Sequence, residues 1–140
     1  MRVVALDPGR HRTGIALSDP SGTLASPFGV IRGQSLRTQW AELVALLARL
    51  AAEDDGLAAI VVGVPVRLDG SPTDFTEEAR GLVERLARRF TVPVIPRDER
   101  LTSVDAESRL ALTERDWRRR KAKLDAAAAA VLLQDYLDER

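Results

Sequence analysis

The sequence predicts an α/β fold in which a mixed five-stranded sheet is flanked by helices. Three β-type segments follow one another near the N-terminus without a helical pattern between them, which indicates an antiparallel meander. Amphipathic helical patterns then alternate with two further strands, and strands joined through helices are expected to run parallel. No repeat or linker interrupts the 140 residues, so residues 1–140 are predicted to form a single domain.

The first three predicted strands are short apolar segments bounded by turn residues. The valine-rich segment Met1–Leu6 ends before the turn sequence Asp-Pro-Gly, so Asp7 is expected at the carboxyl end of a strand. The second strand is Thr13–Ser18 and the third is Leu24–Ile31, with the turn sequence Asp-Pro-Ser-Gly between them. Strands with such short connections are expected to pair as neighbours.

From residue 36 onward the sequence alternates helical and strand patterns. Apolar residues spaced three and four apart mark amphipathic helices, and a nearly continuous apolar run marks a strand covered on both faces. A capping box of Asp74 with Glu77 predicts the start of the second helix. The predicted elements are helix Leu36–Ala52, strand Ala58–Val64, helix Asp74–Phe90, strand Val92–Ile95, helix Thr102–Leu112 and helix Leu124–Leu137.

The composition excludes several classes of protein. Hydrophobic residues make up 45% and charged residues 30%, close to the averages of globular domains, which excludes wholesale disorder. No apolar run approaches the roughly 20 residues that cross a bilayer, and the N-terminal segment lacks a signal-peptide layout, so a cytoplasmic location is expected. Without cysteine, any metal site must use oxygen ligands or the single histidine.

Charge is balanced overall but not locally. With 21 basic and 21 acidic residues, the net charge gives no general argument for binding nucleic acid. Residues 114–123 carry six basic side chains against two acidic ones, which fits either contact with phosphate groups or a solvated face. Trp117 in this segment either stacks on an unpaired base or anchors the segment on the core. The basic residues are Arg115, Arg118, Arg119, Arg120, Lys121 and Lys123.

Carboxylates near the ends of predicted elements mark a candidate site. Asp7 is followed by glycines and arginines, which suit a phosphate or metal close to the backbone. Asp98 and Glu99 follow the strand Val92–Ile95 and are expected at the same sheet edge. Asp125 opens the last helix before a run of alanines that permits close approach to the sheet. Each also fits an ordinary role. Asp7 could be a turn aspartate, Asp98 and Glu99 could belong to a charged loop, and Asp125 could be a first-turn residue favoured by the helix dipole.

Three carboxylates gathered at one edge would repel each other strongly without a cation. Mg²⁺ and Mn²⁺ are bound by such oxygen ligands while they keep waters and substrate phosphate oxygens. In a two-metal phosphodiesterase, one ion activates the attacking water and the other stabilises the leaving 3′-oxygen, so no covalent nucleophile is required. The carboxylates therefore predict a hydrolase that acts on phosphodiester bonds.

Four motifs extend this interpretation, and together they cover nearly the whole chain. They are LDPGRHRTGIALSD, VVGVPVRLDGS, DERLTS and KLDAAAAAVLLQDYL. In their order and spacing the sequence resembles the YqgF/RuvX family, whose members are described as Holliday junction resolvases and as pre-16S rRNA nucleases. The resemblance implies an RNase H-like fold and a nuclease dependent on Mg²⁺ or Mn²⁺. The family's three acidic positions, catalytic and metal-binding, fall on Asp7, Glu99 and Asp125.

Positively charged and polar residues around these carboxylates have expected roles as well. The expected nucleic-acid contacts are Arg10, Arg12, Arg100, Arg118, Arg119, Arg120, Lys121 and Lys123. The motif positions expected to support the site are Asp19, Asp98 and Thr102. His11 occupies a variable position of the first motif and is interpreted as an exposed loop residue rather than a proton donor.

The resemblance implies a nucleic-acid substrate and leaves its identity open. One hypothesis is maturation of the 5′ end of pre-16S rRNA in ribosome biogenesis, with structured or single-stranded RNA and pre-ribosomal particles as partners. The alternative is resolution of branched DNA in recombination and repair, which favours a symmetric homodimer over a monomer. A non-catalytic RNase H-like binding module is a third hypothesis, against which the three carboxylates argue. An ATP-binding domain of the actin and sugar-kinase type would need a second domain to clamp its nucleotide.

Overall fold

The computed structural model describes residues 1–100 and 117–140, with the side chains of residues 1–100 and 126–140. Five strands and three helices occupy these residues. They are β1 (Arg2–Asp7), β2 (Arg12–Ser18), β3 (Ala25–Arg32), α1 (Leu36–Ala52), β4 (Leu57–Pro65), α2 (Thr76–Arg89), β5 (Val94–Glu99) and α3 (Trp117–Asp138). Within this described part of the chain, no helix is both long enough and apolar enough to cross a membrane.

All five strands form one mixed sheet in the order β3-β2-β1-β4-β5. The first three strands pair antiparallel, whereas β4 pairs parallel with both β1 and β5. Because β1, β4 and β5 run in the same direction, their carboxyl ends share one edge, which carries Asp7, Pro65 and Glu99. The predicted sheet, with three antiparallel strands followed by parallel ones, is confirmed.

Alternating side chains of the strands pack against helices on both faces of the sheet. In β1, Val4 and Leu6 join the core beneath α1 and α2, whereas Val3 and Ala5 join the core beneath α3. The same alternation places Asp7 on the α3 face. The helices contribute to these cores mainly through Leu43, Leu47, Leu50, Leu82 and Leu86 on one side and Ala129, Leu132, Leu133 and Leu137 on the other.

Helix α3 is fixed at its carboxyl end to the connection between β2 and β3. Gln134 Nε2 donates to the carbonyl of Thr23 at 3.0 Å, and Gln134 Oε1 accepts from the backbone N–H of Ala25 at 2.9 Å. The Arg140 guanidinium donates to the Gly22 carbonyl at 2.6 Å. This connection lies at the sheet edge opposite Asp7, since β2 runs antiparallel to β1. The helix therefore approaches from the Asp7 edge and ends at the opposite one.

The capping box predicted for Asp74 and Glu77 is wrong. Helix α2 begins at Thr76, and its N-cap residue Phe75 has no side-chain acceptor for the first turn. The buried Thr76 hydroxyl instead donates to the Pro65 carbonyl at 2.6 Å, which ties the start of α2 to the end of β4.

Two other boundaries differ from the predicted ones and concern the candidate site. Strand β5 continues to Glu99, because its ladder with β4 extends to Pro65, whereas the sequence predicted an end at Ile95. Helix α3 begins at Trp117, so Asp125 lies about two turns inside the helix and does not open it. The first-turn account of Asp125 is therefore wrong. The helix predicted over residues 102–112 lies outside the described residues.

We expect Leu47→Ala to lower the free energy of unfolding by about 2–5 kcal/mol, because it removes a fully buried side chain between α1 and the sheet. Leu46→Ala removes the same atoms from a partly buried position of the same helix and should cost clearly less. Urea unfolding followed by tryptophan fluorescence measures both variants. Equal losses would contradict the described burial of α1.

Candidate functional site

Asp7 and Glu99 lie on the α3 face of the sheet at the shared carboxyl edge. Asp7 follows Ala5 by two positions, and Glu99 follows Ile95 by four, and both of these apolar residues pack in the core beneath α3. The strand between them is β4, whose Gly63 lies close to the same level on the same face. The structure thus brings together two of the three carboxylates predicted from the sequence.

The side chains of Asp7 and Glu99 make a hydrogen bond across β4. Neighbouring strands are about 4.8 Å apart, so β1 and β5 are separated by roughly 10 Å. The longer glutamate side chain spans this gap by lying over Gly63. A methyl group added at Gly63 would place its Cβ only 2.7 Å from Glu99 Oε2, so the carboxylate fills the space that a side chain would take.

The electrostatics of the pair disfavour two negative charges. Glu99 is only 9% exposed, and this burial raises the pKa of its carboxyl group well above the ordinary value, with the charge of Asp7 as the second cause. Glu99 Oε1 is buried and has no hydrogen-bond partner within residues 1–100 and 126–140. Leaving a buried acceptor unpaired costs about 1–3 kcal/mol. The pair therefore favours the uptake of a proton or a cation.

The chemistry of these groups fits a hard divalent cation. Carboxylate oxygens are the ligands that Mg²⁺ and Mn²⁺ prefer, and a positive charge would offset the repulsion between the two side chains. The side chains that the structure describes contain no cluster of three such ligands, so the site among them is this pair. Asp125 lies in α3, and its side chain is outside the described residues. Its place in the site stays a prediction.

A buried glutamine on α1 holds the loop that follows Asp7. Gln39 is 1% exposed, and its Nε2 donates to the carbonyls of Gly9 (3.1 Å) and Arg10 (3.2 Å). Its Oε1 accepts from the buried Thr13 hydroxyl at 2.5 Å. Gln39 was not predicted from the sequence, although a polar residue on the apolar stripe of a helix is a signal that could have identified it.

Two of the predicted arginines lie at the edge that carries the carboxylate pair. Arg10 is half-exposed, 3.2 Å from Asp74 Oδ2, and its guanidinium carbon lies 5.9 Å from the centre of the Phe75 ring. Arg100 donates to the Leu68 carbonyl at 3.3 Å. Exposed ion pairs such as that of Arg10 contribute little to stability, so this guanidinium can exchange its partner for a phosphate at low cost.

His11 and Arg12 complete the connection between β1 and β2. His11 is exposed, which agrees with its interpretation as a loop residue. Arg12 is half-buried at the start of β2, and its Cα pairs with that of Arg32 on β3. This cross-strand pair adds positive charge to the edge that carries Asp7.

Asp98 lies beside Glu99 in the sequence but on the opposite face of the sheet. Because β5 is extended through both residues, their side chains point to opposite sides. Asp98 is exposed near Arg80 and Glu84 of α2, and its Oδ2 lies 3.4 Å from Arg100. The structure therefore does not bring Asp98 to the carboxylate pair, and among the described side chains its ion pair is with Arg100.

Asp19 lies beyond the end of β2, at the sheet edge opposite Asp7. Hydrogen bonds from the Ser21 hydroxyl and from the backbone N–H groups of Leu24 and Thr23 lower the pKa of Asp19 to about 2. Its carboxylate orders the turn between β2 and β3 and does not support the site directly. Thr102 and the side chains of residues 118–123 lie outside the described part of the chain.

Comparisons with known proteins agree with this fold. A family model described as "RuvX: Holliday junction resolvase" matches residues 1–139. A "Putative pre-16S rRNA nuclease" of Anaeromyxobacter sp. (strain Fw109-5) is 43% identical over 140 residues, covering 100% of this chain and 98% of its own. A protein of the same name from Dechloromonas aromatica (strain RCB) is 40% identical over 136 residues, covering 97% and 90%.

Solved structures with the same architecture include "T. thermophilus RuvC in complex with Holliday junction substrate". It matches with a TM-score of 0.59 and 17% identity, covering 100% of this chain and 96% of its own. A second structure, "Thermus thermophilus RuvC structure", matches with a TM-score of 0.55 over 99% and 97%. At this identity the likeness concerns the fold alone, and the RNase H-like fold is confirmed.

We expect Glu99→Gln to stabilise the metal-free protein at pH 8. The fold raises the pKa of Glu99 above its unfolded value of 4.5, so the ionised carboxylate lowers stability at high pH, and this cost disappears as the pH falls through the raised pKa. Each tenfold change in proton affinity is worth about 1.4 kcal/mol. Thermal unfolding in EDTA from pH 8 to pH 4.5 should show the advantage of the variant shrinking toward the acid end.

Glu42→Gln, at an exposed position of α1, is the matched control and should change the unfolding temperature little at any pH. A Glu99→Gln protein that is less stable than the unchanged protein across the whole pH range would contradict the described burial of the glutamate.

Proposed function

The chain belongs to the RuvX family, and on that premise we propose that it is a metal-dependent nuclease that hydrolyses phosphodiester bonds in nucleic acid. The observation that carries the proposal is the buried contact between Asp7 and Glu99 at the carboxyl edge of the sheet. With it goes Glu99 Oε1, which has no hydrogen-bond partner among the side chains that the structure describes. A structural role for this pair is disfavoured, because burial and the charge of Asp7 both disfavour the ionised form of Glu99. The same argument disfavours a non-catalytic binding module.

Asp125 is the third proposed ligand, together with Asp7 and Glu99. The helical repeat places position 125 one turn before Ala129, which packs on the sheet face that carries the pair. The carboxyl end of α3 is anchored at the opposite sheet edge, so earlier turns of this helix lie nearer to Asp7. Residues 1–140 in this proposal act as one nuclease domain.

The residues at this edge have different proposed roles in hydrolysis. Asp7, Glu99 and Asp125 supply oxygen ligands, and Mg²⁺ or Mn²⁺ bound there in a two-metal arrangement would supply the positive charge for water activation and for the leaving oxygen. Arg10 and Arg12 lie three and five residues after Asp7 and are proposed to hold substrate phosphates. Gln39 holds the Gly9 and Arg10 carbonyls, so the backbone at Arg10 is positioned before the substrate binds.

We propose pre-16S rRNA as the substrate, with cleavage toward its 5′ end during ribosome biogenesis. The name of the relatives from Anaeromyxobacter and Dechloromonas, "Putative pre-16S rRNA nuclease", supports this RNA as the substrate. A branched DNA junction is the second candidate, favoured by the description of the family model. Cleavage assays on sequence-matched RNA, single-stranded DNA and four-way junctions, each with Mg²⁺ and with Mn²⁺, distinguish the two.

Asp7→Asn should abolish metal-dependent cleavage and leave the fold intact, because it removes the ligand charge between β1 and β5. The matched control is Asp54→Asn, which makes the same change at an exposed position near the end of α1 and should leave the rate unchanged. Rates under single-turnover conditions with Mn²⁺ and circular dichroism of both variants make the comparison. Normal turnover by folded Asp7→Asn protein would remove Asp7 from the mechanism.

Neutralising Arg118, Arg119 and Arg120 to glutamine should weaken binding of nucleic acid and flatten its dependence on salt. Each lost phosphate contact reduces the slope of log K against log salt by about 0.9 on duplex and about 0.7 on single strands. The control variant neutralises Arg49, Arg88 and Arg89. It makes the same change in net charge, but near the carboxyl ends of α1 and α2. Fluorescence anisotropy between 50 and 200 mM salt measures both slopes.

An identical loss of slope in both triple variants would mean that net charge alone sets the binding. An unchanged slope in the variant of residues 118–120 would mean that these residues form a solvated helix face and do not contact phosphates.

A further inference from the structure

Gly63 lies in β4 between the two strands that carry Asp7 and Glu99. A glycine inside a strand weakens the strand, so it is expected where the backbone needs unusual dihedrals or where another group approaches closely. The dihedrals do not explain it, because Gly63 is not among the glycines with positive φ. The close approach of another group explains the glycine, since the atoms nearest to a Cβ built at Gly63 belong to the Glu99 side chain and to Leu132 of α3.

The space above Gly63 is filled by the carboxylate of Glu99. A Cβ at this position would lie 2.7 Å from Glu99 Oε2, 3.1 Å from Glu99 Cδ and 3.0 Å from Leu132 Cδ2. The first distance is shorter than any stable contact between carbon and oxygen, so the carboxylate would have to move. It is the end of a flexible side chain, and its displacement costs less than a shift of the strand.

We infer, on the basis of the proposed function, that Gly63 is a positioning residue of the nuclease. Because it has no side chain, Glu99 can cross the middle strand and meet Asp7, and the two carboxylates together form a cation site. A residue with a Cβ at position 63 would preserve the sheet and push Glu99 away from Asp7. The fold would then remain while the cation affinity is lost.

The test uses Gly63→Ala with Gly29→Ala as its matched control. Gly29 is also a strand glycine, and a Cβ there meets no atom within 4 Å among the described residues. Calorimetric titration with Mn²⁺ in the absence of nucleic acid should show at least a tenfold loss of affinity for Gly63→Ala and none for Gly29→Ala. Circular dichroism and thermal unfolding confirm that both variants are folded.

Two further variants test whether Gly63→Ala acts through the Glu99 carboxylate or through helix α3. If Gly63→Ala acts through Glu99, it should weaken Mn²⁺ binding far less in a Glu99→Ala background than in the unchanged protein. Leu132→Val removes the methyl group nearest to the new Cβ, so the double variant Gly63→Ala/Leu132→Val should stay defective. Recovery of affinity in that double variant would assign the effect to α3 and overturn the inference.

A crystal structure of metal-free Gly63→Ala gives a reading that does not depend on nuclease activity. The inference predicts that Glu99 no longer contacts Asp7 in this variant, whereas Gly29→Ala keeps the contact. If the carboxylates remain together, the inference is wrong whatever the protein does to nucleic acid. If they separate but the unchanged protein cleaves neither RNA nor DNA, the positioning role stands and the proposed function fails.

Discussion

The contact between the buried Glu99 carboxyl group and Asp7 is the interaction on which the rest of the site depends. It places two acidic groups side by side at the carboxyl ends of β1 and β5, where burial and mutual repulsion both disfavour ionisation. The divalent cation that we propose for this site would offset the charge of the pair. The hydrophobic cores on the two faces of the sheet supply the stability that this arrangement removes.

Several parts of the fold serve to hold this pair in place. Parallel pairing of β4 with β1 and β5 brings the two strand ends to one edge, and Gly63 leaves room for Glu99 between them. On one face, Gln39 of α1 fixes the loop after Asp7. On the other face, α3 is anchored through Gln134 at its far end, so that its earlier turns approach the same edge. The site is thus assembled from both faces of the sheet.

The sequence predicted the mixed sheet, with its antiparallel and parallel strands, and the two carboxylates, because apolar periodicity and the type of connection between strands are local signals. It placed the end of β5 four residues too early, since Pro96, Arg97 and Asp98 do not resemble a strand, and the pairing with β4 that extends it is a tertiary effect. Asp98 was expected to support the site, but the extended strand places its side chain on the face opposite that of Glu99. Gly63 and Gln39 escaped notice because their importance lies in which atoms they meet, and residue order does not show that.

We propose that Asp7 and Glu99 bind a divalent cation together with Asp125. Anomalous diffraction from crystals of the protein soaked in Mn²⁺ locates the manganese independently of any assay. We expect a peak with oxygens of Asp7 and Glu99 at about 2.0–2.6 Å, and an oxygen of Asp125 in the same coordination sphere or bridging to a second ion. Manganese bound elsewhere, with no peak between Asp7 and Glu99 at saturating concentration, would contradict it.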